Sequence, residues 1–289
     1  MKILGTGLSG LVGSRIVELL EDKIEFDFSE IDITDKDKIT SKIRDSKALI
    51  VLHLAAKTDV DACEKDKAQG KRGPAWQVNV IGTQNVALAC QASGKKMIYM
   101  STDFVFDGNP KDPRGYTEED SPDPINWYGK TKYEGELIVQ SLKTPFLIVR
   151  LAYPYRVSFQ RPDFVRTIIN RLKTRETVNT VTDHMFTPTF IDDIAEALRV
   201  LVEQNETGIF HVVGSQFLSP YKAAHIICQK FGFDVSLVSS TTREEYFKNR
   251  APRPEKLALL NDKIKKLGVR MRTLDEGLDE FQESATIRH

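Results

Sequence analysis

Residues 2–20 read K-I-L-G-T-G-L-S-G-L-V-G-S-R-I-V-E-L-L. The first four are a short apolar strand, and Ile16, Leu19 and Leu20 then recur at the spacing of one buried helix face. Gly7, Gly10 and Gly13 stand between strand and helix. Strand, glycine turn and helix in that order favour a dinucleotide site. Gly7 would allow the tight turn, Gly10 the close approach of a pyrophosphate, and Gly13 close packing of helix on strand. The helix N-terminus would face the phosphates. A glycine turn that binds nothing is the competing reading of this stretch.

Working outward, apolar strands alternate with helical patterns along the chain. Residues 24–28, 48–54, the run from Ile98, 146–151 and 208–213 read as strands. The near-continuous apolar run at 48–54 suits a strand covered on both faces. Residues 75–92 read as one long helix, and Ile191–Val202 as another that Asp192 or Asp193 caps. This alternation predicts an α/β fold, a Rossmann-type doubly wound, mostly parallel sheet with a smaller C-terminal substrate-binding lobe. The dinucleotide domain is expected over residues 1–151 plus about 189–213, and the lobe over about 152–188 and 214–289, above the C-terminal strand ends.

Composition narrows the function. Among 289 residues, Lys+Arg and Asp+Glu both number 41, so no net field draws the chain to nucleic acid or an anionic membrane. No apolar run approaches the roughly 20 residues that span a bilayer, and the first residues lack a leader pattern. Cys63, Cys90 and Cys228 are odd in number and far apart, which fits free thiols in a reducing cytoplasm. Histidines 53, 184, 211, 225 and 289 show no metal-ligand spacing, and no metal is expected.

The chemistry concentrates between Ile98 and Lys132. I-Y-M-S-T-D-F-V-F-D-G at 98–108 is an apolar strand that ends in hydroxyl and carboxylate groups. Y-G-K-T-K at 128–132 places Tyr128 and Lys132 on one helix face. A phenol beside an ammonium donates a proton near neutral pH, because the positive charge lowers the Tyr pKa. Ser101 or Thr102 could hold a substrate oxygen against that phenol. Taken alone, Tyr-x-x-x-Lys is more simply a solvated face; the glycine loop and the hydroxyl-bearing strand end turn the argument. Asp27, twenty residues past Gly7, would accept both ribose hydroxyls and repel a 2′-phosphate, which favours NAD over NADP. Asp32-Ile33 reads equally as a helix cap or an adenine contact. Ala55 and Ala56 let a flat cofactor pass close to backbone. His53 reads as a hydrogen-bonded core residue, and Asn79 as either a buried tie near the site or a surface amide.

These motifs resemble the extended short-chain dehydrogenase/reductases, nearest to the dTDP-4-dehydrorhamnose reductase (RmlD-like) branch. T-G-L-S-G-L-V-G, H-L-A-A-K-T-D-V-D, N-V-I-G-T, S-T-D-F-V-F-D-G and Y-G-K-T-K occur in that family's order. The resemblance covers nearly the whole chain. It implies Thr102, Tyr128 and Lys132 as the catalytic set. It implies a cofactor, NAD or NADP, on Gly7, Ser9, Gly10, Leu11, Val12, Gly13, Asp27, Asp32, Ile33, Leu54, Ala55, Ala56 and Lys57, with Tyr128 and Lys132. Thr102, Asp103, Phe104, Val105, Tyr153 and Arg253 would meet the substrate. Tyr153 stands where the branch usually has Trp, D-H-M-F-T-P-T at 183–189 replaces D-Q-x-G-x-P-T, and the loop at 67–74 is longer. The implied activity is hydride transfer to the 4-keto group of a nucleotide-linked sugar, with a homodimer compatible. Phe104 after Asp103 argues against a dehydratase, since it cannot move a proton. A sugar-nucleotide epimerase with the same triad and a non-catalytic, dinucleotide-binding regulatory subunit stay open as alternatives.

Overall fold

A computed structural model describes residues 1–286. In chain order the regular elements begin with β1 (Lys2–Thr6), α1 (Leu11–Leu20), β2 (Glu25–Ser29), α2 (Lys36–Asp45), β3 (Ile50–His53), α3 (Val60–Asp66), α4 (Pro74–Trp76), α5 (Thr83–Ala92), β4 (Lys96–Thr102), α6 (Trp127–Gln140) and β5 (Phe146–Leu151). They continue with β6 (Pro154–Tyr155), α7 (Phe164–Lys173), β7 (Val178–Val181), β8 (Thr189–Phe190), α8 (Ile191–Glu203), β9 (Gly208–His211), α9 (Pro220–Phe231), β10 (Val238–Thr241), α10 (Arg243–Tyr246), α11 (Asp262–Lys265) and α12 (Leu274–Thr286).

Six strands form one parallel sheet in the order β2-β1-β3-β4-β5-β9. β4 lies inside it, with all seven residues buried. Its alternation feeds two cores. Ile98 and Met100 pack with Ile3, Leu52, Ile16 of α1 and Ile194 of α8. Met97 and Tyr99 pack with Leu4, Val51, Ile39 of α2 and Val86 of α5. Full burial of a side chain such as Ile98 contributes about 1.5–3 kcal/mol, so an uninterrupted apolar run stays inside. The chain leaves β1 for β2 on one side and crosses to β3 on the other. The crevice at this reversal lies between the C-terminal ends of β1 and β3, where such sheets bind ligands.

Beyond β5 the chain builds a second layer from the two-stranded sheets β6-β8 and β7-β10. Its own core joins Tyr155, Ile168, Phe186, Phe190, Ile227 and Leu278. Residues 287–289, the end of the expected lobe and the site of His289, lie outside the described residues.

Three expectations change. The helix expected over 75–92 is interrupted by a π-helical turn at Gln77–Gly82, between α4 and α5. Asp192 and Asp193 do not cap α8, because each carboxylate is taken by an arginine. Asp192 receives Arg15 Nε at 2.8 Å and Asp193 pairs with Arg272, while Phe190 stands at the cap position. The expected lobe also returns part of its chain to the main sheet: Ile264, Val269 and Met271 share a core with Ile3, Leu52 and Phe210.

Candidate active site

The loop after β1 is shaped by steric need. Gly7 has φ +71°, and a Cβ there would lie 2.6 Å from Ala55 N across the crevice. A Cβ on Gly13 would lie 2.7 Å from Leu8 Cα. The loop thus closes against the Leu54–Ala56 segment, and α1 begins hard against it. No side chain caps the N-terminus of α1, so the amides of its first turn are available to an anion. These features fit a dinucleotide pyrophosphate. The loop opens into a cleft of ≈740 Å³.

The far wall is made by β4 and α6. Asn126 caps α6 by accepting from Gly129 N at 2.8 Å, and its Nδ2 donates to Pro252 O at 3.0 Å. Gly129 permits the helix to press on Phe104, since a Cβ would meet the Phe104 carbonyl oxygen at 2.1 Å. That contact sets Tyr128 beside the end of β4, edge-on to Phe104 with ring centroids 5.9 Å apart. One turn on, Lys132 Nζ donates to Met100 O at 2.8 Å and lies 4.1 Å from the Tyr99 ring centroid. Thr131, between them in sequence, donates to Tyr128 O and accepts from Asn79 Nδ2. Asn79 is therefore the buried tie. It also accepts from Lys57 N at 2.8 Å and donates to Lys57 O at 3.0 Å, and the π-helical turn puts it there. Arg150 of β5 holds α6 through a fully buried pair with Glu136.

Burial sets the protonation states. It raises the Tyr128 phenol above its ordinary value, opposed by the Thr102 hydroxyl. The lowering expected from Lys132 is absent, because that ammonium is directed at Met100 O and the Tyr99 face. A protonated phenol is nonetheless the state a proton donor requires. Burial brings Lys132 down to about 7, with Glu136 opposing. Burial pushes Asp103 up to about 7, opposed by Thr102, whose hydroxyl donates to Asp103 Oδ1 at 2.9 Å. Among the described residues Asp103 Oδ2 has no hydrogen-bond partner.

The expected residues divide. Gly7, Ser9, Gly10, Leu11, Val12, Gly13, Leu54, Ala55 and Ala56 line the cleft together with Thr102, Asp103, Phe104, Tyr128, Lys132, Tyr153 and Arg253. Asp27 does not. It pairs with Leu4 in the middle of β2, and its two oxygens take Lys42 Nζ at 2.7 Å and Ser46 Oγ at 3.1 Å. A carboxylate so committed does not face a ribose at the strand end. Asp32 accepts from Thr34 N and Oγ1 in a turn before α2, Ile33 sits in the core with Ile39 and Ile43, and Val105 is wholly buried. Lys57 turns its backbone to Asn79 and its ammonium to Asp66. All five stand apart from the cleft lining. His53 is the core residue expected, held by Thr6 Oγ1 at 2.7 Å and Thr83 Oγ1 at 3.1 Å.

The cleft also gathers residues that sequence reading left aside. Tyr246, Phe247 and Arg250 line its mouth, with Arg250 and Arg253 both bound by Asp61 of α3. The dense Arg and aromatic content of R-E-E-Y-F-K-N-R-A-P-R at 243–253 was the available signal. His184 reaches the lining beside Tyr153, whose φ of +40° is unusual for a side chain of that size.

Residues 1–287 match the RmlD substrate binding domain family. The chain is 30% identical over 284 residues to the spore coat polysaccharide biosynthesis protein SpsK of Bacillus subtilis, covering 97% of this chain and 96% of that one. It is 33% identical over 261 residues to a dTDP-4-dehydrorhamnose reductase of Aggregatibacter actinomycetemcomitans, covering 85% and 86%. Its fold superposes with a TM-score of 0.89 on a Bacillus anthracis dTDP-4-dehydrorhamnose reductase solved in complex with NADP, at 30% identity and 98% and 99% coverage.

Proposed function

The chain belongs to the RmlD substrate binding domain family, and from that membership we propose that Thr102, Tyr128 and Lys132 carry the proton side of a ketone reduction. The protein is an NAD(P)-dependent reductase of the 4-keto group of a nucleotide-linked sugar. One observation carries the assignment of roles: these three residues line the same cleft as the glycine loop. When bound, the reduced nicotinamide supplies the hydride. The first-turn amides of α1 would hold its pyrophosphate, and Lys132 would hold its ribose. Tyr128, protonated through burial, gives its proton to the ketone oxygen. Thr102 orients that oxygen. Below about pH 7 the Asp103 carboxyl keeps its own proton and can donate to Thr102 Oγ1, which frees the Thr102 proton for the substrate.

The NAD preference expected from Asp27 loses its basis, since Lys42 and Ser46 take that carboxylate; we carry forward dependence on NAD(P) without it. A homodimer and a cytoplasmic setting are further proposals, the first tested by light scattering. Among the described residues no helix is long and apolar enough to cross a membrane.

The test is Tyr128→Phe assayed with dTDP-4-dehydrorhamnose and NADH or NADPH. Turnover is expected to fall by about 10²–10⁴-fold, with dinucleotide affinity within about twofold of the unaltered protein. Undiminished turnover removes Tyr128 from the mechanism. Tight dinucleotide binding by a protein that reduces none of a panel of keto-sugar nucleotides favours the regulatory reading.

A further inference from the structure

Tyr153 and His184 are 31 residues apart in the chain, and the structure brings them together. Tyr153 Oη lies 3.0 Å from His184 Nε2, and His184 Nδ1 lies 2.7 Å from Pro254 O. The direction of both hydrogen bonds follows from elementary chemistry. A proline carbonyl has no proton to give, so the proton in the second bond belongs to Nδ1. Burial brings His184 down to about 4, so near neutrality the ring carries no second proton. Nε2 is then a bare acceptor, and the Tyr153 hydroxyl must donate to it. With its proton committed, the phenol oxygen has only lone pairs left for anything in the cleft.

The pair is held in this arrangement from several sides. Phe186 packs against Tyr153 with ring centroids 4.6 Å apart, and Thr189 N donates to Tyr153 O at 3.2 Å. Backbone at φ +40° costs on the order of 1–3 kcal/mol and persists only where the surroundings over-determine it. On the cleft side Tyr153 stands next to Phe104, with ring centroids 6.2 Å apart, within the same lining as Asp103.

We infer that His184 fixes Tyr153 as a hydrogen-bond acceptor toward the bound sugar, so that the cleft selects nucleotide sugars presenting a free ring hydroxyl at that point. This rests on the reductase reading and adds a specificity element to it. His184 is the positioning residue, and Tyr153 makes the contact. A substituent that cannot donate, such as fluorine in place of the hydroxyl, meets lone pairs across the gap and loses the bond.

The test compares a dTDP-linked 4-keto-6-deoxyhexose with its mono-deoxyfluoro analogues, which keep size and remove the donor. The unaltered protein is expected to disfavour one analogue by roughly 10-fold in kcat/KM, about one neutral hydrogen bond, with the loss in KM. Tyr153→Phe removes the acceptor and is expected to bring that ratio below about 3-fold. His184→Phe frees the Tyr153 proton and is expected to narrow the ratio as well, while Tyr153 itself is kept. Retention of the full ratio in Tyr153→Phe, or no discrimination against any analogue by the unaltered protein, overturns the inference. Turnover of the hydroxylated substrate by the unaltered protein reports on the reductase reading by itself. Calorimetric titration of the same ligands with NADP⁺ present yields the ratio without turnover.

Discussion

Asn79→Ala removes one amide that ties the segment after β3 to α6, the helix that carries Tyr128 and Lys132. Three hydrogen bonds go with it: Lys57 N to Oδ1 at 2.8 Å, and Nδ2 to Lys57 O and to Thr131 Oγ1, each at 3.0 Å. Their losses are unequal. Thr131 Oγ1 keeps Tyr128 O as acceptor, and Lys57 O keeps the weak Cys63 Sγ donor at 3.6 Å. Lys57 N has no second acceptor among the described residues and bears most of the cost. An orphaned backbone group costs about 1–3 kcal/mol, so one full and one partial loss come to about 2–3 kcal/mol. At about 2–4 °C per kcal/mol for a chain of this size class, the melting temperature should fall by roughly 5–10 °C. Turnover should fall too, since Leu54–Ala56 and the Tyr128–Lys132 turn move apart; a displacement near 1 Å costs on the order of 10²-fold. Thermal unfolding and initial rates with NADPH measure both. A variant within about 0.5 kcal/mol of the unaltered protein and within twofold in kcat would refute the tie.

Gly13→Ala sets a Cβ 2.7 Å from Leu8 Cα and 2.9 Å from Gly7 O, backbone atoms that cannot swing aside. Overpacking of this kind costs about 1–3 kcal/mol, and NADPH affinity by fluorescence titration should weaken by about 10-fold; unchanged affinity would sever the loop from the cofactor. Asp27→Asn should leave the NADH-to-NADPH ratio of kcat/KM within about twofold, because Lys42 and Ser46 already occupy the carboxylate. A shift of about tenfold or more toward NADPH would restore Asp27 to the ribose. For pH, Asp103 and Lys132 both sit at about 7 and both lose a proton as pH rises. Reduction should therefore decline from pH 6 to 8.5, and Asp103→Asn should leave a shallower decline due to Lys132. A flat or rising profile for the unaltered protein would contradict the assignment.

Much of this protein was legible because its signals are local. The glycines at 7, 10 and 13, the uninterrupted apolar run ending at Thr102, and the one-turn spacing of Tyr128 and Lys132 each involve near neighbours in the chain. Periodicity and φ/ψ freedom act at that range. Those stretches predicted the Rossmann-type sheet and marked the glycine loop and the proposed set of Thr102, Tyr128 and Lys132 before any contact was known. Asp27 shows the limit of the method. Its distance from Gly7 in sequence suited a ribose ligand, yet its position in the middle of β2 and the presence of Lys42 and Ser46 decided otherwise.

What only the tertiary structure decided depends on residues far apart in sequence: Asn79 with Lys57 and Thr131, Asp61 with Arg250 and Arg253, and Tyr153 with His184 and Pro254. The sequence by itself determined which groups could do the chemistry and on which elements they ride. Which way each one points, and which proton it holds, follows from burial and from partners that only folding brings within hydrogen-bond reach. A carboxylate, an imidazole or a phenol has no fixed role until those partners are known, because its charge and donor capacity respond to groups a few ångströms away.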